Sequence, residues 1–550
     1  MDSTPASSVD FDEVQLNSLG YKTSLHRTWH QLESFAASFC ALDFIGTVRS
    51  VFFLGILAGG PAAMWSSYVI TMIFMWISAA VLAEICSALP LSGSIYIWAA
   101  EAAGPKYARF IAFIVSFWTA TAWMTFAAGN SQTTANYLVS LLPVFDIDIS
   151  GGINNGNIKW RAIVWAVSEG IFLLSISMNF LPPRWYSNVF KFTLGVMAVD
   201  FLLNMIWLPI GVSRSYGFRS SHDAFLTTNN GTGAPAVWNW MLSFLFTSGT
   251  LVGFDASGHI AEETKNASVV AARGILSSAI ATGILSFITI ILFLFCTPPI
   301  DLWLTLGAPQ PFVQIYALAL GKGGAVVMTV IAVLGLVLNT SIAILAASRL
   351  IFAIARDGVL PGSHWVGQVT AQGQPQNAVT VMAVFGVLLL CTILPSSVAF
   401  TSLISAGGVP TVAAYGLIAL LRLTQTPYDF KSSRFGLGKF KIPFYISAVL
   451  WNGLLVAVYV SPFTLPAGVI FGAVTLIAIV TWYVTPEDRW LRREHIKAML
   501  EYAERPAESQ LACPNSRCRV WAGNDVLQEV MHAIIIKITT IRWGLPCLIK

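Results

Sequence analysis

The sequence predicts an all-α integral membrane protein with twelve transmembrane helices, and three observations support this fold class. Hydrophobic residues make up 56% of the 550 residues, charged residues only 11%, and the mean hydropathy is +0.70. Uncharged runs at 274–296 and 325–348 exceed the roughly 20 helical residues that cross a hydrocarbon core. A further apolar segment is interrupted near its middle, at 248–250, as in a broken membrane helix. This composition excludes a soluble globular protein.

Apolar segments at regular spacing define the candidate spans. The first thirty residues carry four acidic residues and no apolar core, so we expect no cleavable signal peptide, and the first span serves as the targeting signal. The predicted spans one to twelve cover residues 34–58, 65–89, 107–128, 161–181, 189–212, 238–258, 274–296, 325–349, 378–395, 399–421, 443–461 and 466–484.

Basic residues near the ends of the spans predict the orientation. With both termini in the cytoplasm, thirteen Lys and Arg residues lie at inward-facing ends or loops and five at outward-facing ones, which is a clear positive-inside bias. The glycosylation acceptor at 230–232 then lies outside and the acceptor at 266–268 lies inside. We expect the plasma membrane as the location, with a vacuolar or other internal membrane as the alternative.

Motifs for ATP-driven transport and for catalysis are missing from the sequence. A phosphate-binding loop ends in Gly-Lys-Ser/Thr, and the segment 321–324 lacks both the upstream glycine and the hydroxyl residue. The seven histidines are scattered and form no metal site or nucleophile constellation. We therefore expect no enzyme activity, no cofactor, no metal and no nucleic-acid partner. Of the possible energy sources for transport, coupling to an ion gradient therefore remains.

Span one carries a predicted break at Ser38, Phe39 and Cys40, with the outer half of the helix beginning near Ala41. The positive N-terminal end of that half-helix would then face a substrate carboxylate. Asp43 would lie in its first turn. Asp43 is either a capping carboxylate for free backbone amides or an anion that faces the amine end of a zwitterion.

Span six carries the second predicted break, where glycines and small side chains free the backbone to line a cavity. Aromatic residues beside it offer walls for a cation. The predicted binding residues of this segment are Phe246, Ser248, Gly249, Thr250, Gly253 and Phe254.

Breaks in the first and sixth spans, five apart, indicate an inverted repeat of five helices. The predicted units are a cytoplasmic tail 1–33, a first repeat 34–212, an outer loop 213–237, a second repeat 238–421, a cytoplasmic loop 422–442, spans eleven and twelve at 443–484, and a cytoplasmic tail 485–550.

Several polar residues in or near the spans are candidates for ion coupling or gating. Lys191 either extends to the interface or stands where sodium sits in cation-coupled transporters, and Asp200 either pairs with a neighbouring helix or handles protons. The stretch after the second break, with Asp255 and Glu262, favours gating by pairs with basic loop residues. The hydroxyl candidates are Thr340, Ser341 and Ser405, whose default role is bonding to their own backbone or across a helix contact.

Five motifs give the chain a strong resemblance to a known family. They are Leu54 to Pro61, Ala83-Glu84-Ile85-Cys86-Ser87-Ala88-Leu89-Pro90, Asn179 to Arg184, Phe254 to Ser268, and Ser348 to Gly358. Over residues 30 to 490 the sequence resembles the fungal amino acid/choline permeases, described as GABA permease-like, of the amino acid-polyamine-organocation superfamily. The resemblance implies a LeuT-like fold with two extra helices, and substrate contacts from spans one and six with help from spans three, eight and ten.

The same resemblance implies uptake of a small nitrogenous metabolite, such as an amino acid, GABA or a choline-like amine, with a coupling proton or sodium ion. Ser38, Phe39 and Cys40 occupy the place of the family's Gly-x-Gly break, whose glycines are absent here. The sequence departs from the family after about residue 495, where Cys513 and Cys518 have no further plausible metal ligand. The leading hypothesis is an importer that works by alternating access. The alternative is a non-transporting nutrient receptor with a permease fold.

Overall fold

The computed structural model describes residues 16–17, 21, 25–405, 407–427, 434–464 and 467–486. Within these residues the regular secondary structure is helical, apart from two isolated bridges. The expectations for most of the N-terminal tail, for part of the loop 422–442 and for the C-terminal tail with Cys513 and Cys518 fall outside the described residues.

The expected twelve-span helical architecture is confirmed. Ten helical segments of the described chain are long and apolar enough to cross a membrane, and the broken span six and a shorter apolar helix complete the set. In order, the spans are Gln31–Leu42 with Phe44–Leu57, Gly60–Ala88, Gly104–Val139, Ile158–Ser177, Pro183–Arg214, Ala236–Gly249 with Ala256–His259, Ala267–Cys296, Pro311–Arg356, Gln376–Cys391, Ser397–Ser405 with Gly408–Thr424, Lys441–Tyr459, and Ala467–Val484.

Short helices connect the spans. The α-helical connectors are Ser94–Ala102, Leu141–Val144, Ser221–Phe225, Ile300–Leu304 and Ser363–Val366, and the 3₁₀ turns are Met178–Phe180, Ala261–Glu263 and Gly438–Phe440.

Two spans extend well beyond their predicted bounds. Span three continues to Val139 and span eight begins at Pro311, with non-helical φ and ψ angles at Gly321. Both segments add polar residues that the hydropathy pattern had excluded, and neighbouring helices shield many of them. The predicted bounds were therefore too short at these ends.

Close packing between long helices holds the bundle together. Span two packs along span seven, span one along span seven, and span three along span eight. At the first of these contacts a Cβ on Gly283 would lie 2.6 Å from the Trp76 Nε1 atom, so only glycine fits without a shift. The Trp76 indole N–H donates across this contact to the Ala279 carbonyl at 2.9 Å. Small residues thus allow close approach, as is usual where membrane helices pack.

Two bridges define the ends of the bundle. The Trp29 to Thr264 bridge joins the segment before span one to the segment after span six, and we name this end the tail face. The Ala58 to Asn230 bridge joins the end of span one to the loop 215–235, and we name this end the far face.

Candidate functional site

The break in span one lies at Asp43, which corrects the predicted position at Ser38, Phe39 and Cys40. The first half-helix runs unbroken through those three residues to Leu42, and Asp43 adopts a left-handed conformation with φ 40° and ψ 73°. Asp tolerates this region better than most residues because its short side chain bonds to the nearby backbone. Here the Asp43 carboxylate accepts the Gly46 N–H at 3.2 Å, which caps the second half-helix.

The break in span six is longer and lies within the predicted segment. The helix ends at Gly249, the chain turns through residues 250–255, and helix resumes at Ala256. Gly253 has φ 114°, a backbone conformation that side-chain-bearing residues rarely adopt. The turn of the chain at this position therefore requires glycine.

Hydrogen bonds tie the two broken spans together. The Ser38 hydroxyl lies 2.6 Å from the Phe254 carbonyl, to which it donates, and it accepts the Ser257 N–H at 2.8 Å. The Ser257 hydroxyl donates to the Ser34 carbonyl at 2.5 Å. Side chains of the unbroken stretch of span one thus satisfy backbone groups that the break in span six leaves open.

An asparagine of span eight closes the end of the first half-helix. The Asn339 amide donates to the Cys40 and Ala41 carbonyls at 2.5 and 2.9 Å. Its carbonyl oxygen accepts from the Asn130 amide of span three. Spans one, three and eight therefore meet at the first break.

A cavity of about 1100 Å³ extends from the two breaks to the far face. At its deep end lie Ala41, Trp123, Gly249 and Gly253, and at its mouth lie residues of the loops before spans four, six and eight. None of the tail-face residues that the structure describes lines it. The described conformation is therefore open towards one face of the bundle.

Among the ten predicted binding residues, Gly249 and Gly253 line this cavity. The aromatic candidates lie in packing contacts: Phe39 stacks on Phe35 with ring centroids 4.9 Å apart, Phe246 meets Phe52 edge-on at 6.1 Å, and Phe254 stacks on Tyr415 at 5.0 Å.

The small candidates near the second break bond locally. The Thr250 hydroxyl donates to the Thr247 carbonyl at 2.8 Å, and the Ser248 hydroxyl lies 3.2 Å from the hydroxyl of Tyr459, which lines the cavity. Cys40 is fully buried beside the first break.

Span three supplies cavity residues that sequence reasoning missed. Trp123, Asn130, Gln132 and Asn136 line the cavity along one helix. A polar run inside a membrane helix was the available signal, since such residues usually face a bundle interior or a water-filled space. Within the described lining, Arg49 and Arg161 are charged and no carboxylate is present.

Arg49 of the cavity wall forms an almost fully buried ion pair with Asp200, one of the predicted coupling residues. The Arg49 guanidinium contacts both carboxylate oxygens of Asp200, at 2.8 and 2.5 Å, and donates to the Tyr316 hydroxyl at 3.2 Å. Asn204 donates to the same carboxylate at 2.9 Å. Arg49 and Asp200 are 1% and 3% exposed, so the pair joins spans one and five away from water.

A second buried cluster surrounds Asp255 below the cavity. The Asp255 carboxylate accepts the Tyr415 hydroxyl, and its other oxygen lies 2.9 Å from His259 Nε2. The opposite ring nitrogen of His259 lies 2.6 Å from the Ser94 hydroxyl. Trp123, which lines the cavity, meets the His259 ring edge-on at 5.5 Å. A chain of titratable groups thus leads from the cavity floor towards the tail face.

Three further predicted coupling residues, Lys191, Thr340 and Ser341, are not among the described residues that line the cavity. Lys191 is exposed. The Thr340 hydroxyl donates to the Leu336 carbonyl at 2.8 Å, and the Ser341 hydroxyl lies 2.7 Å from the Tyr186 hydroxyl. Ser405 ends a helix, and its side chain falls outside the described part of the chain.

Two ion pairs close the tail face. Arg349 contacts Glu263 at 2.7 Å, with both side chains at most 2% exposed, and Arg356 contacts Glu262 at 2.9 Å. Burial alone would raise the pKa of Glu262, but the Arg356 charge and the hydrogen bonds to the carboxylate outweigh it, and the pKa lies below its ordinary value.

Aromatic rings of the segment before span one cover these pairs. The Arg349 guanidinium lies 5.8 Å from the Trp29 ring centre, and the Arg356 guanidinium lies 4.3 Å from that of Tyr21. The Trp29 backbone N–H donates to the Glu263 backbone carbonyl at 3.1 Å. The tail face is therefore closed by charge, hydrogen bonds and aromatic cover together.

Comparison with known proteins gives a consistent result. The family model described as "Amino acid permease" matches residues 30–485. A Schizosaccharomyces pombe protein named "Thiamine transporter thi9" is 43% identical over 519 residues, covering 88% of each chain. The Arabidopsis thaliana "Amino-acid permease BAT1" is 29% identical, covering 83% of this chain and 90% of its own. A "Putative polyamine transporter" of Candida albicans is 26% identical, covering 88% of each.

A solved structure supports the fold. The Eremococcus coleocola manganese transporter aligns with a TM-score of 0.50 at 12% identity, covering 86% of this chain and 95% of its own. At this identity the likeness concerns the fold alone, which is the LeuT-like fold expected from the sequence.

Proposed function

The chain belongs to the amino acid permease family, and on that premise we propose that it imports a small organic cation by alternating access, as a proton-coupled secondary transporter. Membership makes it an integral membrane transporter of small molecules and not an enzyme. A cavity that opens at one face while the other face is closed supports the alternating-access mechanism.

Thiamine is the proposed first substrate, and the 43% identity with a transporter of that name over 88% of the chain carries this proposal. The described lining offers aromatic rings and amides to a ligand built of aromatic rings, whereas its charged residues, Arg49 and Arg161, do not favour the positive charge itself. Trp123 and Tyr459 offer ring faces, each worth about 0.5 to 2 kcal/mol to a cation, and Asn130 and Gln132 offer amides for ring nitrogens. A polyamine is less well matched, because no described lining residue is a carboxylate.

Amino acids, GABA and choline form the second candidate substrate class. The 29% identity with an amino-acid permease favours it.

The coupling proton is assigned in this proposal to the Asp255 and His259 pair. Both groups are almost fully buried, they lie 2.9 Å apart, and they stand next to the cavity floor through Trp123. Intramembrane Asp and His residues in contact are typical of proton relays in transporters.

The proposed orientation places the tail face in the cytoplasm and the cavity mouth outside, in the plasma membrane. Arg349 and Arg356, which form the tail-face ion pairs, are among the thirteen basic residues that then lie inside, in agreement with the positive-inside rule.

Uptake into proteoliposomes tests the function. Radiolabelled thiamine, GABA, choline and amino acids are offered separately, with and without an inward proton gradient. We expect gradient-dependent thiamine uptake. Uptake of the second class alone would replace thiamine as the substrate. Binding without flux for any compound would establish the receptor alternative and contradict transport.

Two tryptophans of span three provide a matched pair of variants. Trp123→Ala removes a cavity wall, whereas Trp118→Ala alters a residue whose indole N–H donates to Thr475 of span twelve at 2.9 Å. We expect a raised KM for thiamine in the first variant and an unchanged KM in the second. Equal KM values in both would contradict recognition by Trp123.

A further inference from the structure

Every carbonyl at the end of the first half-helix of span one has a hydrogen-bond donor. Asp43 N–H donates to the Phe39 carbonyl at 3.1 Å, and the Thr47 hydroxyl donates to the Leu42 carbonyl at 2.7 Å. The Cys40 and Ala41 carbonyls between them accept from the Asn339 amide. The last four carbonyls of a helix lack partners within it, so here side chains and the break itself supply them.

Such a helix end attracts cations. The aligned peptide dipoles leave partial negative charge at the C-terminal end, and unwound carbonyls of broken helices are where transporters coordinate sodium. At this break the place facing two of the carbonyls is taken by the Nδ2 atom of Asn339, at 2.5 and 2.9 Å. A neutral amide with two N–H groups therefore occupies a position suited to a cation.

The orientation of Asn339 is held by its neighbour. The Asn130 amide donates to the Asn339 side-chain oxygen, which directs the Asn339 Nδ2 atom at the carbonyls. Asn339 is 1% exposed, so water does not compete for these bonds. Flipping the amide would place two oxygens against each other, an arrangement that a buried site does not tolerate.

Other groups able to coordinate a cation near the break are also engaged. The Thr340 hydroxyl donates to Leu336, and the Ser341 hydroxyl is shared with Tyr186. Asn179 donates to the Ser341 hydroxyl at 3.3 Å and to its carbonyl at 3.1 Å. The Ser341 hydroxyl is thus turned to Asn179 and Tyr186, whereas the Thr340 hydroxyl bonds within span eight.

We infer that Asn339 is a positioning residue whose amide N–H groups replace a bound cation at the carbonyls of the first break. The protein therefore needs no sodium ion to stabilise this break or to transport its substrate. The amide joins the first half-helix to spans three and eight whatever the salt present. The expected sodium-independent uptake rests on the proposed transport function. The expected sodium-independent stability rests on the hydrogen bonds of Asn339 alone.

Thermal stability of the purified full-length protein tests the inference without any substrate. We expect the same melting temperature in sodium chloride and in N-methyl-D-glucamine chloride at equal ionic strength. A melting temperature raised by sodium in the wild-type protein would overturn the inference. Sodium-dependent thiamine uptake would overturn it as well, while leaving the transport function intact.

Asn339→Asp is the most discriminating variant, because it keeps the shape of the side chain and removes both of its N–H groups. A carboxylate facing two carbonyls needs a sodium ion or a proton between them, so we expect sodium to raise the melting temperature of this variant. Uptake at neutral pH should be about tenfold lower without sodium than with it, the order expected for an unmatched buried polar contact.

Asn452→Asp is the matched control. Asn452 is 1% exposed, donates to Ser78 at 3.0 Å, and lies in span eleven away from both breaks. We expect no sodium effect in this control. Sodium insensitivity of Asn339→Asp, or equal sodium effects in both variants, would contradict the assigned role.

Asn130→Ala gives a second route if Asn339→Asp does not fold. This variant leaves the Asn339 donors in place but removes the group that orients them. We expect a lower melting temperature that sodium does not change; melting is the readout because Asn130 also lines the cavity. A variant with the wild-type melting temperature would show that Asn339 is not held in this way.

Discussion

The tail face and the far face carry the same kinds of charged side chains in opposite surroundings. At the tail face Arg349 and Glu263 lie 2.7 Å apart and are at most 2% exposed. At the far face Lys322 and Asp146 lie 2.6 Å apart, yet their side chains are 53% and 83% exposed. Distance alone therefore does not distinguish a closed face from an open one; burial does.

Burial decides how much each ion pair contributes to the free energy of the folded protein. Removing one partner of a buried pair leaves an unpaired charge and costs about 3 to 5 kcal/mol, whereas an exposed pair contributes about 0 to 1 kcal/mol. The tail face is accordingly stabilised in its closed form by buried charges, because leaving either partner unpaired is costly. The far face has no such constraint on Lys322 and Asp146, and the cavity opens there.

Of the variants that test this difference between the tail face and the far face, Glu263→Gln is expected to have the largest effect on stability. It leaves the Arg349 guanidinium buried without its carboxylate, so the closed tail face should lose about 3 kcal/mol or more relative to conformations in which water reaches the arginine. Melting of the purified protein measures the loss. The double variant Glu263→Gln with Arg349→Met should recover most of it, and no recovery would contradict a pairwise seal.

Glu262→Gln should have a smaller effect of the same kind. The Arg356 side chain is 18% exposed and lies under the Tyr21 ring, so water and the aromatic face stabilise its charge when the carboxylate is removed. The same melting assay compares this variant with Glu263→Gln. A larger loss for Glu262→Gln would contradict the ranking by burial.

Asp357 should make the closed tail face sensitive to pH. Burial raises the pKa of Asp357 to about 6, against the opposing effect of Arg356 and the hydroxyls of Tyr96 and Tyr21. The folded protein thus binds a proton more tightly than the unfolded chain, whose Asp titrates near about 3.9. Relative to Asp357→Asn, wild-type stability should rise as the pH falls from 7 through about 6.

Melting of wild type and Asp357→Asn between pH 5 and 8 measures this difference; these limits are roughly centred on the expected titration. A stability difference that is constant across the range would show that Asp357 does not titrate there. A wild type that loses stability relative to the variant as the pH falls would contradict the sign.

Lys322→Ala should have the smallest effect. Its partner Asp146 is largely exposed and remains solvated without it, so stability should change by less than about 1 kcal/mol and uptake should stay at the wild-type rate. Melting and uptake of this variant provide the baseline for the tail-face variants. A loss comparable to that of Glu263→Gln would remove the distinction between the two faces.

Much of the fold was predictable because its signals are local. Hydrophobic runs of membrane length predicted the spans, and the glycines and small residues at 248–253 predicted the second break. The first break was misplaced because its cause is a single residue, Asp43, in a left-handed conformation. Ser38 looked like a helix breaker, but its hydroxyl bonds to Phe254, more than 200 residues away, and no local pattern contains that contact.

The candidate site was less predictable than the fold. Gly249 and Gly253 were found because backbone freedom shows in the sequence, but Trp123 and Asn130 were missed. Asn130 belongs to a polar run beyond the predicted end of span three at residue 128, and Trp123 lies in an apolar stretch whose hydropathy does not reveal which side meets the cavity. Pairs such as Arg49 and Asp200 join distant spans, and a single sequence carries no signal of that proximity.

Accessibility of one engineered thiol tests the central claim, that the cavity opens at the far face while the tail face is closed. Ser50 lies on the cavity wall in span one, so Ser50→Cys is made in a cysteine-free background and exposed to a membrane-impermeant thiol reagent from either side of sealed vesicles. We expect labelling from the far face only, and added labelling from the tail face once Glu263→Gln is introduced. Labelling of Ser50→Cys from the tail face in the otherwise unaltered protein would contradict it.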